Sequence, residues 1–287
     1  MKTRQISAWL LAGMVMSTVF TSCKKEEDNT ISLPPIGGYN SSNDIAATNL
    51  VAHWTFDGTN NEDISKTAPS TAQGASFTTG KKGQALNLAN GFLAYPEIAS
   101  LSKAAFPNYS VAAWVNVKNN GDHPTMFFTL TRPGNPWDGN INLLAETGAY
   151  KSTVDTLKAK IYMKYSDAGN EIAKDNINSP EKGGDQALKA SGQWVHLVGV
   201  YDGATIRLYG NGKRISNPDY ETWAKGNITF FTPAKVVIGG FGTNAPGGTP
   251  DTWQQPMNGQ LDEIRLYNKA LPEGDISALY NLELAGR

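Results

Sequence analysis

The sequence has little of what a cross-linked, metal-bound or strongly charged protein needs. Its single cysteine excludes an internal disulfide. Charged residues make up 18% of the chain and the formal net charge is −1, so the overall charge gives no indication of a nucleic-acid partner. The three histidines lack the spacing of metal ligands: His53, His123 and His196.

The chain also lacks the common catalytic motifs. No Gly-x-Ser-x-Gly elbow occurs, and no strand-like stretch carries the paired acids, Glu-x-Asp-x-x-Glu, of a retaining glucanase. We therefore expect a protein that is not an enzyme. A glycoside hydrolase with a divergent acid pair stays open as an alternative.

No apolar run is long enough for a retained transmembrane helix. The run from Ile6 to Phe20 spans about 15 residues, short of the ~20 needed, and it follows the basic residues Lys2 and Arg4. This arrangement predicts a signal peptide over residues 1–22. The sequence Phe20-Thr21-Ser22-Cys23 resembles a bacterial lipobox, which implies that Cys23 is acylated and anchors the protein to a membrane.

Residues 23–44 are predicted to form a flexible linker, because prolines, glycines and serines outnumber apolar residues there. The linker begins with an acidic cluster that resembles the surface-export signal of Bacteroidetes lipoproteins. The resemblance implies a location on the outer membrane, facing the cell exterior.

From residue 45 onward the chain is rich in strand patterns. Apolar and polar residues alternate over 110–117, and over 157–165 an apolar face alternates with a basic face that we interpret as solvated. Residues 194–201 are apolar on both faces, as in a central strand. Asn211-Gly212 predicts a hairpin turn. These signals predict one antiparallel β-sandwich domain over 45–287.

A short amphipathic helix is predicted near the C-terminus. Pro272 suits a first-turn position, and Glu273 and Asp275 suit the positive start of a helix. Ile276 and Leu279 then share its apolar face.

Several stretches resemble, in order, the signature blocks of laminin-G-like, concanavalin A-like jelly-roll domains of bacterial surface proteins. The resemblance spans about 49–281 and implies an all-β, concanavalin A-like jelly-roll β-sandwich with one short C-terminal helix. That fold carries lectins, adhesins and hydrolases alike, so it does not fix the function. The blocks are residues 50–58, 80–88, 109–115, 193–203 and 257–268.

The last of these blocks has an unusual strand pattern. Read with a period of two, Leu261, Glu263 and Arg265 lie on one face, and Asp262 and Ile264 on the other. Each face then carries both an acid and apolar groups. An ionised carboxylate on an apolar strand face must be paired, hydrogen-bonded or bound to a cation.

The resemblance implies a structural Ca²⁺ held by Asp57 and Asp262, with Asp63 as a weaker third candidate. The alternative is that Asp57 caps an Asx turn and Asp262 forms a salt bridge. We expect Glu263 to pair with Arg265 along the strand instead of binding a metal.

Two turn-rich, polar loops, 132–140 and 247–255, each hold one tryptophan. A loop tryptophan is a candidate platform for the apolar face of a sugar ring, and neighbouring polar groups can bind hydroxyls. The alternative is that these rings cover sheet edges. The predicted ligand-binding residues are Trp137, Trp253, Trp223, Arg132, Asp138 and Asp251.

Together these features predict a non-catalytic, carbohydrate-binding lipoprotein that contacts the membrane through its lipid anchor only. A protein-binding adhesion or assembly module is the second alternative.

Overall fold

A computed structural model describes residues 33–102, 106–134, 136–223, 225–232 and 235–287. The folded unit spans Pro34–Arg287. The predicted signal peptide and Cys23 lie outside the described residues. Within the described ranges, no helix is both long enough and apolar enough to cross a membrane.

Thirteen antiparallel strands and two α-helices are assigned in the described residues. The helices are α1 Ala99–Ser102 and α2 Glu273–Leu284. The strands are β1 Leu50–Trp54, β2 Thr71–Thr79, β3 Gln84–Ala94, β4 Tyr109–Val117, β5 Thr125–Leu130, β6 Ile141–Ala145, β7 Ala159–Asp167, β8 Asn170–Ile177, β9 Trp194–Tyr201, β10 Ile206–Gly210, β11 Lys213–Arg214, β12 Val236–Ile238 and β13 Met257–Tyr267.

The strands form a continuous sheet that folds back on itself as a jelly-roll sandwich. The order is β11-β10-β9-β4-β13-β3-β12-β5-β6-β7-β8, with β1 beside β13 and β2 beside β3. We call β11, β10, β9, β4, β13 and β1 the back sheet, and β12, β5, β6, β7 and β8 the front sheet; β3 pairs with both. The predicted all-β jelly-roll with a C-terminal helix is confirmed.

The main core lies between the two sheets. Alternate residues of β4 and β7 enter it, including Val111 on β4 and Met163 on β7, as the alternation in sequence predicts. Gly199 on β9 faces Ile161 on β7, where an added Cβ would lie 2.4 Å from Cδ1 of Ile161. The absence of a side chain at Gly199 therefore lets the sheets approach closely.

The outer face of the back sheet is covered by α2 and by residues 34–44. Ser42 is fully buried, the Tyr39 hydroxyl donates to Asp275 Oδ1 at 2.9 Å, and Arg287 donates to the Pro34 carbonyl at 2.9 Å. The flexible linker predicted to reach Asp44 therefore gives way to packed structure from Pro34. The partners that hold these residues come from the far end of the chain, which local composition does not show.

Strand β13 contains a bulge that changes which residues share a face. Glu263 has a φ of 47°, and the pairing with β4 shifts between Asp262 and Arg265. Leu261, Ile264 and Leu266 consequently all enter the core. The period-two reading of this strand, which separates Leu261 from Ile264, is wrong because the bulge inserts an extra residue.

A buried ionic cluster follows from the bulge. Arg265 Nη2 donates to Glu263 Oε2 at 2.5 Å, as the expected pair requires, and its Nε donates to Glu283 Oε1 of α2 at 2.8 Å. His53 of β1 bonds Glu263 at 2.9 Å, and Trp114 of β4 donates to Glu283 at 2.9 Å. All three charged residues are fully buried. The cluster therefore joins three strands of the back sheet to the helix.

The two carboxylates of the cluster have opposite pKa shifts. Burial raises the pKa of Glu283 to about 8. For Glu263, burial alone would raise the pKa, but the His53 hydrogen bond and the charge of Arg265 outweigh it and lower the pKa to about 2. One guanidinium thus serves two acids, and its charge opposes the effect of burial on the pKa of both.

Replacing the central arginine should strongly destabilise the fold. Arg265→Met leaves two buried carboxylates without their partner and should lower the free energy of unfolding by about 3–5 kcal/mol, measured by urea denaturation. The exposed pair Lys189–Asp155, each side chain 61% exposed, supplies the control. Lys189→Met should cost less than about 1 kcal/mol. Equal losses in the two variants would contradict the role of the cluster.

A buried histidine should make stability fall in mild acid. His196 is fully buried, and burial and the charge of Arg265 lower its pKa to about 3. Glu283 Oε2 lies 3.6 Å away but is already bonded to Trp114, so burial dominates. Below pH ~6.5 the unfolded chain therefore binds a proton at His196, whereas the buried ring of the folded chain stays neutral. The free energy of unfolding falls as a result.

His196→Phe should remove this component of the acid sensitivity. Between pH 7.5 and 5.5 the wild type should lose about 1 kcal/mol more unfolding free energy than the variant, because only the wild-type unfolded state gains that proton. Urea denaturation at both pH values measures the difference. Parallel losses in the two proteins would refute the assignment.

Candidate functional site

The two loop tryptophans meet on the outer face of the front sheet. The ring centroids of Trp137 and Trp253 are 5.6 Å apart, with an angle of 68° between the ring planes. Trp137 also packs against Tyr162 at 5.5 Å, and Trp253 against Phe241 at 5.2 Å. We call these four residues the aromatic cluster. Trp253 is 38% exposed and the others support it.

Two loops bring the tryptophans together. Trp137 lies between β5 and β6, and Trp253 between β12 and β13. The Gly242 amide donates to the Trp137 carbonyl at 3.0 Å, which joins the first loop to the segment after β12. The buried Gln254 holds the second loop, since its Oε1 accepts from Thr243 Oγ1 and its Nε2 donates to Asp251 Oδ2. Buried hydrogen bonds therefore fix the position of both rings.

The aromatic cluster forms one wall of a pocket of about 170 Å³. Lys160 on the outer face of β7 lies beside it, with its Nζ 3.2 Å from Glu146 Oε1 and 3.1 Å from Asp175 Oδ2. Burial alone would lower the pKa of Lys160, but the bonds and charges of these acids outweigh it and raise that pKa. The described residues around the pocket are Pro124, Trp137, Leu144, Glu146, Lys160, Tyr162, Phe241 and Trp253.

Arg132 and Asp138 occupy a different position from the one expected. Asp138 is only 1% exposed; its Oδ1 accepts from Arg132 at 3.0 Å and its Oδ2 accepts from the Tyr162 hydroxyl at 2.9 Å. These contacts leave neither residue free to bind a hydroxyl of a ligand. The prediction of direct ligand contact is corrected here: the Arg132–Asp138 pair holds Tyr162 beneath Trp137.

Trp223 does not join the aromatic cluster. It packs partly buried against the main core, and its Nε1 donates to the Tyr165 hydroxyl at 3.2 Å. Tyr165 and Tyr162 point to opposite faces of β7, because they are an odd number of residues apart in a strand. Trp223 therefore lies on the other side of the front sheet from Trp137.

Asp251 lies next to the aromatic cluster but outside its pocket. It is exposed and lines a separate depression beside the Trp253 loop. Of the predicted ligand-binding residues, the structure brings Trp137, Trp253 and Asp251 into one region of the surface.

The predicted calcium ligands contact the same turn, residues 80–84. Asp262 Oδ2 accepts from the Lys81 and Lys82 amides at 2.7 and 3.0 Å, and Asp57 Oδ1 accepts from the Gln84 amide at 2.7 Å. Asp262 Oδ1 is buried with no hydrogen-bond partner among the described residues. Burial raises the pKa of Asp262 to about 7. The unpartnered Asp262 Oδ1 is suited to binding a cation. The two backbone amides that donate to Oδ2 instead stabilise the carboxylate without a metal.

Asp63 lies in the turn before β2 and holds the end of β1. Its Oδ2 accepts from the Thr55 amide at 2.9 Å. No group of three or more acidic, histidine or cysteine side chains that could hold a metal occurs in the part of the chain that the structure describes.

Sequence reasoning missed four residues of the site. Tyr162, Lys160, Glu146 and Phe241 were not among the predicted ligand contacts, and the basic face of 157–165 was interpreted as solvated. The available signal was Tyr162, which interrupts the lysines of that face. Its ring packs at a tilt of 36° against Trp137 and the lysines beside it are ion-paired, so this face is part of the site.

The sequence matches the family model described as the concanavalin A-like lectin/glucanases superfamily, of the laminin G type, over residues 87–277. The chain belongs to this superfamily. None of the curated proteins matches the sequence. The predicted family resemblance is thereby confirmed.

Solved structures with a similar fold include two domains in complex with sugars. Domain 4 of AbnA, an extracellular GH43 arabinanase from Geobacillus stearothermophilus, in complex with arabinotriose, is 19% identical with a TM-score of 0.52, covering 80% of this chain and 98% of that domain. The ligand-binding domain of botulinum neurotoxin serotype D, in complex with N-acetylneuraminic acid, is 11% identical with a TM-score of 0.54, covering 84% and 52%.

A third similar structure is the binding domain of Paraclostridial Mosquitocidal Protein 1. It is 15% identical with a TM-score of 0.56, and the match covers 82% of this chain and 52% of that one. The chain thus spans about half of each toxin domain. These similarities show a shared fold.

Proposed function

We propose that the protein is a non-catalytic, glycan-binding lipoprotein of the cell surface and that the aromatic cluster is its sugar-binding site. The observation that carries this proposal is the convergence of Trp137 and Trp253 from two separate loops over one pocket. Large rings fixed by buried hydrogen bonds, with one ring more than a third exposed, are suited to stacking on the C–H face of a sugar.

Binding would combine stacking with hydrogen bonds from the pocket's charged residues. The apolar face of a sugar ring stacks on Trp253 and Trp137, while Lys160 and Glu146 reach its hydroxyls. The ion pair between Lys160 and Glu146 keeps both side chains in place before the ligand arrives. A preformed site costs less entropy on binding than one that must be ordered.

Two further observations support this function and its location. Two similar structures hold a sugar, arabinotriose in one and N-acetylneuraminic acid in the other. The lipobox-like Cys23 and the acidic residues that follow it support a lipid anchor in the outer membrane with the domain facing outward.

We also propose that Asp57 and Asp262 hold a structural Ca²⁺ away from the sugar. The buried, unpartnered Asp262 Oδ1 supports this, because a cation would supply the missing partner. A bound ion would neutralise the carboxylates of Asp57 and Asp262, which both contact the 80–84 turn. It would also connect the segment after β1 to β13.

Removing either tryptophan ring should weaken glycan retention. Trp137→Ala and Trp253→Ala should each weaken binding about tenfold, since each removes a stacking surface worth roughly 1–2 kcal/mol. Affinity electrophoresis against a panel of polysaccharides measures the effect. Phe77→Ala is the matched control, because Phe77 is an exposed aromatic on β2, 39% exposed, outside the pocket.

Two results would count against this function. If no polysaccharide retards the wild type, or if Phe77→Ala weakens binding as much as the tryptophan variants, the aromatic cluster is not the site. A reducing-sugar assay on the same panel tests the non-catalytic assignment. Release above the blank would show that the protein is a hydrolase.

Chelation should lower the melting temperature if calcium binds. At a calcium concentration about a hundredfold above Kd, we expect the melting temperature to exceed that in EDTA by roughly 5 °C or more. Asp262→Asn should remove this difference, whereas Asp63→Asn should keep it. Identical melting curves in calcium and in EDTA would eliminate the calcium site.

A further inference from the structure

A second, larger depression lies directly beside the aromatic pocket. It has a volume of about 400 Å³ and is lined mainly by side chains that carry amides and hydroxyls. We call it the polar pocket. The residues that matter for the argument are Gln73, Thr243, Asn244, Asp251, Thr252 and Gln255.

The Trp253 loop forms the wall between the two pockets. Trp253 lines the aromatic pocket, while its neighbours Thr252 and Gln254 line the polar pocket. The segment after β12 is divided in the same way, with Phe241 on one side and Thr243 on the other. A ligand that reaches over this loop can therefore occupy both pockets at once.

The wall itself is rigidly held. Gln254 is 2% exposed, accepts from the Asp251 amide at 3.1 Å and donates back to the Asp251 carboxylate at 3.1 Å. Asn244 donates to the Gln254 carbonyl at 3.2 Å. Thr252 and Gln73 are exposed on the pocket surface, and Gln73 Nε2 donates to the Asn90 carbonyl at 2.9 Å, which holds its amide there.

Pocket size indicates a ligand of more than one sugar unit. The aromatic pocket, at about 170 Å³, is smaller than the range of ~300–1,000 Å³ typical of ligand sites. The polar pocket beside it, at about 400 Å³, lies within that range and supplies most of the combined volume. A single sugar ring bound in the aromatic pocket would thus leave the polar pocket, which is most of the available contact surface, unused.

The charges around both pockets disfavour an acidic sugar. Lys160 is the cation among the described residues of the aromatic pocket, and two carboxylates, Glu146 and Asp175, already contact it. In the polar pocket the charged residue among those described is Asp251, an acid. An anionic sugar would therefore have to compete with Glu146 and Asp175 for Lys160, and in the polar pocket it would meet the like charge of Asp251.

We propose that the ligand is an uncharged oligosaccharide that crosses the Trp253 loop, with one unit stacked in the aromatic pocket and a neighbouring unit hydrogen-bonded in the polar pocket. This inference rests on the proposed glycan-binding function and specifies its substrate class. The polar pocket selects for chain length, and the acids at both pockets select against anionic sugars.

Calorimetric titration with neutral and acidic sugars tests the proposal. The probes are gluco-, galacto-, xylo-, manno- and arabino-configured neutral sugars as monosaccharides, disaccharides and longer oligomers, with oligogalacturonides as the acidic counterparts of the galacto series. For at least one neutral series, affinity should rise about tenfold or more from the single unit to the oligomer, and oligogalacturonides should bind more weakly.

A double variant isolates the polar pocket. Gln73→Ala with Thr252→Ala should weaken oligomer binding about tenfold and leave the affinity for a single unit unchanged. Gln193→Ala, an exposed glutamine before β9, is the control and should change neither. Trp253→Ala should weaken binding of both ligands.

The outcomes separate this inference from the function on which it rests. Trp253-dependent binding that is independent of chain length, or unaffected by the double variant, would overturn the two-pocket proposal and leave the glycan-binding site intact. Tighter binding of oligogalacturonides would overturn the neutral class alone. If no sugar binds at all, both proposals are overturned.

Discussion

The contact on which the back half of the structure depends is the buried pairing of Arg265 with Glu263 and Glu283. It joins β13 to α2, and through His53 and Trp114 it reaches the strands on either side. Burying charges is costly, so the cluster persists only where each member has a partner. The β13 bulge supplies that geometry, since it turns Glu263 towards Arg265 while Leu261 and Ile264 stay in the core.

The same arrangement explains why the N-terminal residues of the domain are ordered. Ser42 accepts a hydrogen bond from Arg265 and another from Lys82, so residues 34–44 complete the cover over the cluster. Tyr39 and Asp275 extend the contact along α2. The outer face of the back sheet is thus covered by the two ends of the domain, and the outer face of the front sheet is left to the loops.

On that opposite face, buried polar groups position the exposed ones. Arg132 and Asp138 hold Tyr162, and Tyr162 supports Trp137; Gln254 holds the loop that presents Trp253. Side chains that look available for ligand binding in the sequence are therefore used to fix the rings. This division suits a binding site, because rigid aromatic surfaces lose little entropy when a ligand stacks on them.

The sequence by itself determined the strand-rich architecture, the Asn211-Gly212 hairpin and the C-terminal helix, because these depend on periodicity and turn chemistry within a few residues. It also identified Trp137 and Trp253 as loop tryptophans. Only the tertiary structure decided that these two rings meet, that Trp223 lies on the other side of the sheet, and that Arg132 and Asp138 are buried. Those facts depend on which strands and loops neighbour one another, and the bulge in β13 separately decides which of its own residues face the core. A single residue of register there reverses which side chains face inward, and local pattern does not specify it.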